Sequence, residues 1–240
     1  MDQITLLGFG AKGWGGMLLL GMVMTFLVTF TALAIGAVLG ALVAWARLSR
    51  NRLARFGGEA YTTVFRGVPE LLVIYVVYFG GSTMATSVGQ MLGAEGFIGF
   101  PSFIAGALAV GVISGSYQAE VYRGAFQAVA RGEIEAARSV GMPTLMRFRR
   151  IIAPQVMRFA LPGLGNVWQL SLKDSALVSV TGLAELMRTS QVAAGSTRQY
   201  FLFYIAGGVL YLVMTSLSNQ VFDRAEARVA RSFRGGLGRG

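Results

Sequence analysis

Met17 to Ala46 reads MLLLGMVMTFLVTFTALAIGAVLGALVAWA, a run without a single charged residue. At 1.5 Å per residue such a helix is longer than the roughly 30 Å of a bilayer's hydrocarbon core, so it tilts or protrudes. A cleavable signal fits poorly. The run is too long for an h-region, Asp2 and Lys12 precede it, and arginines follow it. Further spans read outward from this one. The second starts near Glu59 and ends near Phe79, before Gly80-Gly81 and a Ser/Thr/Gly-rich stretch. The third covers Gly96 to Ala119 with Pro101 near its start. The fourth runs from Phe159 to Leu172 and resumes after Lys173-Asp174 as far as Gly182. The fifth runs from Gln199 to Phe222. The expectation is an all-α integral membrane protein with five transmembrane helices.

Composition agrees. Of 240 residues 54% are hydrophobic and 13% charged, against about 25% charged in soluble domains. Mean hydropathy is +0.59. There is no histidine and no cysteine, which removes the usual zinc and haem ligands, thiol chemistry, His-based triads and disulfides. The two lysines, Lys12 and Lys173, do not follow a glycine, so no GxxxxGK[ST] phosphate loop exists. A net charge of +10 on so apolar a chain points to arginines along a membrane rather than to nucleic acid.

The arginines orient the chain. Arg47, Arg50, Arg52, Arg55 and Arg66 lie at the first connection, seven arginines from Arg123 to Arg158 at the third, and five from Arg224 to Arg239 after the fifth helix. Lys12, Arg188 and Arg198 fall on the other side. The bias puts the N-terminus outside and the C-terminus in the cytoplasm. Residues 1–228 form one membrane domain with a cytoplasmic loop at 123–154, and 229–240 a flexible basic tail.

That loop reads RGAFQAVARGEIEAARSVGMPTLMRFRRIIAP. EIEAARS favours a short helix, Gly141 stops it, and Pro143 opens another. Ala136, Ala137, Val140 and Met142 give a small apolar face, suited equally to another protein's groove or to the bilayer surface.

Polar residues within spans need partners, at about 2.5 kcal/mol or more per charge in hydrocarbon. Arg66 and Glu70, four apart, can pair on one helix face, as a structural ion pair or within a ligand contact. Glu120 and Arg123 form a second such pair, with Glu120 also within reach of Arg66. Gly67 and Pro69 mark an irregularity that exposes backbone carbonyls to a cavity. The fourth helix gathers Asn166, Gln169, Ser171, Lys173, Asp174 and Ser175. Lys173 and Asp174 point about 100° apart, so they offer a cation and a carboxylate in different directions. These bind a charged solute or bond to neighbouring helices. Glu95, Glu185 and Arg188 read as solvated outer-loop residues, and Trp14 and Trp45 as interfacial anchors.

Glu135-Ala136-Ala137, Gly141 and Ile151-Ile152-Ala153-Pro154 match the spacing of the EAA loop of bacterial ATP-binding-cassette import permeases, with Ala153 in place of leucine. YTTVFRGVPELL (61–72), YQAEVYRGAF (117–126) and LPGLGNVWQLSLKDSALVSVTGLAEL (161–186) resemble the polar amino acid permeases. The likeness is to Q-type subunits for histidine, lysine/arginine, octopine or nopaline, and extends from about Trp14 to Arg228. The resemblance implies a type I importer permease fold in the bacterial inner membrane. It implies a second permease subunit as partner, often a different M-type chain and otherwise a second copy. It also implies two ATPase subunits that bind ATP and Mg, a substrate-binding protein, and no cofactor in this chain. It assigns ATPase coupling to Gly132, Glu135, Ala136, Ala137, Gly141 and Pro154. Substrate contacts fall to Asn166, Gln169, Lys173, Asp174 and Glu70, with Val167 where a further acid would stand, so that the cationic site forms here or in the partner. Glu185, Arg188 and Glu95 become candidate contacts of the binding protein. A membrane hydrolase built on Lys173 with Ser171 or Ser175, and a stand-alone channel or transporter, are the competing classes. The absence of an internal repeat and the docking loop argue against the latter.

Overall fold

The computed structural model describes residues 3–10 and 13–237; Lys12 and residues 238–240 of the expected tail lie outside them. A short α1 (Gln3–Leu7) precedes α2 (Gly15–Leu48), which contains the whole opening run. Ser49 is extended and ends α2, and Asn51 caps α3 (Arg52–Gly67) by accepting the Leu53 N–H at 2.9 Å. Val68 and Pro69 are extended, and α4 (Glu70–Met91) follows. Pro69 carries no N–H and disfavours helix at the residue before it, so the chain breaks here. Pro101 precedes α5 (Ser102–Gln127). The loop then forms α6 (Arg131–Ser139), α7 (Thr144–Arg147) and a π-helical turn, Phe148–Ile152. α8 (Ala153–Asp174) tightens into a 3-10 helix, Ser175–Thr181, and α9 (Leu186–Thr197) and α10 (Tyr200–Leu237) complete the chain.

Among the described residues, four helices are long and apolar enough to cross a membrane: α2, α4, α5, and α10 as far as Val229. α8, which carries Arg158, Lys173 and Asp174, is not one of them.

α5 is the buried element, and its contact with α2 shows why. Gly36 and Gly40 of α2 face Ser114, Gly115 and Gln118 of α5; a Cβ at Gly40 would stand 2.8 Å from the Gln118 Cβ. Small residues let the two backbones approach, and polar side chains then bridge them. The Gln118 amide donates to the Leu33 carbonyl at 3.3 Å. Tyr61 of α3 donates its hydroxyl to the Val112 carbonyl at 2.6 Å. Val28, Ala32, Ile74, Val110, Ile113 and Val178 fill one core beside this seam. Leu18, Leu172, Leu186, Phe203 and Met214 fill a second. Trp168 is buried among Phe26, Phe30 and Phe222.

Several boundaries differ from expectation: α5 begins at Ser102 rather than Gly96 and runs past Ala119 to Gln127, and α8 begins at Ala153 rather than Phe159. The second span does not begin near Glu59: that residue lies within α3, which starts at the Asn51 cap and ends at Gly67, and the helix apolar enough to cross begins at Glu70. Nor does it end at Phe79. α4 passes through Gly80-Gly81 to Met91, and Ser82, Thr83, Thr86 and Ser87 each donate to the carbonyl four residues back at 2.7–3.0 Å. Hydroxyls satisfied in this way do not stop a helix. Gly81 also admits the Phe100 ring, and the Ser82 and Thr86 hydroxyls accept the Phe100 and Ile98 N–H groups at 3.0 Å, fastening the following strap to α4. α10, finally, continues past Phe222 to Leu237.

Candidate functional site

The break between α3 and α4 sets Glu70 in the first turn of α4, where the helix dipole favours a carboxylate. Asp174 is the last residue of α8, at the change to the 3-10 helix, rather than in mid-helix. Both are half-buried. They lie within electrostatic range of each other, and the Tyr117 hydroxyl of α5 is within range of both. Three separate elements thus bring two acids and a phenol within electrostatic range of one another. The Arg66 guanidinium lies 5.6 Å from the centre of the Tyr117 ring. Two neighbouring carboxylates repel unless a cation stands between or beside them. Lys173, within range of Asp174, and Arg66, within range of Tyr117, are the cations that offset this repulsion in the chain itself.

The other residues expected here are dispersed. Gln169 donates its amide to Asn219 of α10 and so is occupied in joining two helices. Asn166 and Lys173 are exposed on the chain, and Lys173 is within electrostatic range of Asp174. Tyr117 carries no mark in the sequence beyond its place on α5, three residues before Glu120.

The Arg66–Glu70 pair does not form, because the break at Val68-Pro69 separates the two residues into different helices. Arg66 turns instead to Glu120, at 3.5 Å. Arg123 reaches Glu120 at 2.8 Å, and Arg47 of α2 makes a third contact with the same carboxylate. Arg47 counts in the sequence only as a positive-inside residue; nothing local marks it as a partner of a residue 73 positions away.

In the loop, Gly141 has φ +74° and closes α6, with the Gly141 N–H bonded to the Arg138 carbonyl at 2.9 Å and the Met142 N–H to Ala137 at 3.0 Å. Gly132, Glu135, Ala136, Gly141 and Pro154 are exposed, whereas Ala137 is buried. Ala136, Val140, Met142, Ile151 and Pro154 line a cleft of about 440 Å³, braced by a hydrogen bond between Gln155 and Glu133. Of the residues expected to couple, Ala136, Ala137 and Pro154 line this cleft, while Gly132, Glu135 and Gly141 lie outside its lining.

Glu185 is not a solvated outer-loop residue. It is fully buried and caps α9, accepting the Met187 and Arg188 N–H groups at 2.9 and 2.7 Å. Burial pushes its carboxyl up from the ordinary range, while these N–H groups and the hydroxyls of Tyr211 and Thr25 pull it back. The sequence hides this role because Glu185 is an uncommon N-cap. Arg188 and Glu95 are exposed, as expected. Trp45 is exposed, while Trp14 is half-buried and meets Phe203 edge to face.

Comparison with known proteins extends these observations. The family described as "Binding-protein-dependent transport system inner membrane component" matches residues 36–231. The octopine transport system permease protein OccQ of Rhizobium radiobacter is 51% identical over 237 residues, covering 99% of this chain and 100% of its own length. The histidine/lysine/arginine/ornithine transport system permease protein HisQ of Escherichia coli K12 is 40% identical over 216 residues, covering 90% of this chain and 94% of its own. A crystal structure of an amino acid ABC transporter with histidines superposes with a TM-score of 0.78 at 32% identity, over 95% of this chain and 99% of that one. With nearly full-length relatives, a matching family region and a shared helical fold, this chain belongs to the binding-protein-dependent transport system inner membrane components, among their ABC permease subunits.

Proposed function

We propose that this chain is a permease subunit of an ATP-driven importer for cationic amino acids or opines in the bacterial inner membrane. In this reading α2, the broken pair α3–α4, α5, α8 and α10 provide five spans, with the N-terminus outside and the C-terminus in the cytoplasm. Glu70 and Asp174 receive the ammonium or guanidinium of the solute, with Tyr117 beside them. A second permease of the M type completes the path. Two ATPase subunits carry ATP and Mg and push on the face formed by α6 and Pro154. A binding protein delivers substrate outside, and alternating access moves it inward.

The observation that carries this reading is the convergence of Glu70, Asp174 and Tyr117 from three helices. The names of the octopine and histidine/lysine/arginine/ornithine relatives agree with a cationic solute. The test is uptake of arginine, octopine and glutamine by vesicles holding the assembled transporter and its binding protein, with and without ATP. ATP-dependent uptake of arginine or octopine well above glutamine is expected. Uptake that does not need ATP, or a preference for glutamine, would overturn it.

A further inference from the structure

Three guanidiniums share one carboxylate where α2, α3 and α5 meet. Arg47, Arg66 and Arg123 all contact Glu120, so the cluster keeps an excess of positive charge. Beside it lies a cleft of about 400 Å³ lined by Arg47, Arg66 and Glu120, with Thr62 and Thr63 on its α3 wall. Glu59 also lines it and is already within 4.0 Å of Arg55. The Arg47 side chain is only 14% exposed, and its buried Nε has no hydrogen-bond partner. Gly58 makes room for it: a Cβ there would stand 2.6 Å from the Arg47 Cγ. A buried guanidinium donor left unpaired is costly, and a compact oxyanion is the group that best satisfies several guanidiniums at once.

The neighbourhood of the cleft says which oxyanion. Trp45, two residues before Arg47, is 72% exposed. It borders an apolar cleft of about 530 Å³ lined by Ala44, Leu48, Tyr122, Phe126 and Met157 at the same ends of α2 and α5. An exposed tryptophan over an apolar cleft, with arginines at the same level, marks the boundary between acyl chains and headgroups.

We propose that the Arg47–Arg66–Glu120 cleft binds the phosphate headgroup of an anionic phospholipid. Arg47 and Arg66 hold the phosphate, Thr63 borders it, and Glu120 competes with the phosphate for these guanidiniums. Assignment to the cytoplasmic leaflet rests on the orientation proposed above; the binding itself does not.

The test uses the whole transporter with its partner chains, purified in detergent and offered equal phosphatidylglycerol and phosphatidylcholine, with retained lipid counted by native mass spectrometry. Wild type should retain phosphatidylglycerol about ten-fold over phosphatidylcholine. Arg66→Gln should bring that ratio near one. Glu120→Gln removes the competing carboxylate and should raise phosphatidylglycerol retention above wild type, a direction that a purely structural ion cluster does not give. Equal retention of the two lipids by wild type, or an unchanged preference in Arg66→Gln, overturns the proposal. So does displacement of phosphatidylglycerol by millimolar inorganic phosphate, which would assign the cleft to a soluble anion. Solute uptake is not read, so failure here is separate from failure of the proposed substrate.

Discussion

Tyr211 of α10 donates its hydroxyl to Glu185 Oε2 at 3.0 Å, which ties the last helix to the cap of α9. The Thr25 hydroxyl of α2 lies 3.4 Å from the same oxygen and accepts the Leu186 N–H at 3.2 Å. One buried carboxylate therefore joins three helices. Glu185→Ala would strand several donors at once, costing about 3 kcal/mol or more. Tyr211→Phe removes one partner and should cost about 1 kcal/mol. Thermal unfolding in detergent should rank wild type above Tyr211→Phe and Tyr211→Phe above Glu185→Ala. A Glu185→Ala protein melting with wild type would refute the brace.

Asp174→Asn keeps the shape of the side chain and removes its charge. Losing one charge-assisted contact, about 1.5–3 kcal/mol, predicts a roughly ten- to hundred-fold fall in productive binding of arginine-like solutes. Glutamine-like solutes should be affected less, and complex yield should hold. Equal losses for both solutes at reduced yield would make Asp174 structural.

Gly141→Arg places a bulky residue at φ +74°. The left-handed conformation costs roughly 1–2 kcal/mol for a residue with a Cβ. The side chain also enters the exposed end of α6. Transport and substrate-stimulated ATP hydrolysis should both fall while the chain still inserts. Normal coupled hydrolysis in this variant would remove α6 from the ATPase contact.

Orientation is checked with reporters. A fusion after Gly240 should report a cytoplasmic location and one before Trp14 an external one. Both on one side would overturn the five-span reading.

What the sequence discloses follows from range. The apolar runs announce α2 and α5 because hydropathy is a local property. Gly141 and Pro143 announce the two turns of the loop for the same reason. Polar pairings across helices are not local. Arg66 and Glu70 have the spacing of an ion pair, yet Pro69 divides them and Arg66 finds Glu120 on another helix. Glu185 sits in a polar stretch and reads as surface, although its partners Thr25 and Tyr211 come from opposite ends of the chain. The hydroxyl-rich end of α4 looks like a loop because composition does not reveal whether a serine bonds backward along its own helix. In the acidic region, Glu70 and Asp174 were each visible as charges inside a span, but their nearness and the place of Tyr117 needed the fold.

The glycine seam between α2 and α5 has a mechanical result. Only Ala128 to Ala130 separate the end of α5 from the start of α6. α6 is thus a short handle on the most enclosed shaft of the protein. Gly40 lies so close to Gln118 that even one added carbon would collide, leaving no play between that shaft and its neighbour. In the proposed importer, a push on this handle carries both helices together. Under the same proposal, Glu70 on α4 then shifts relative to Tyr117 on the driven pair, so the grip on a cation loosens without local unfolding.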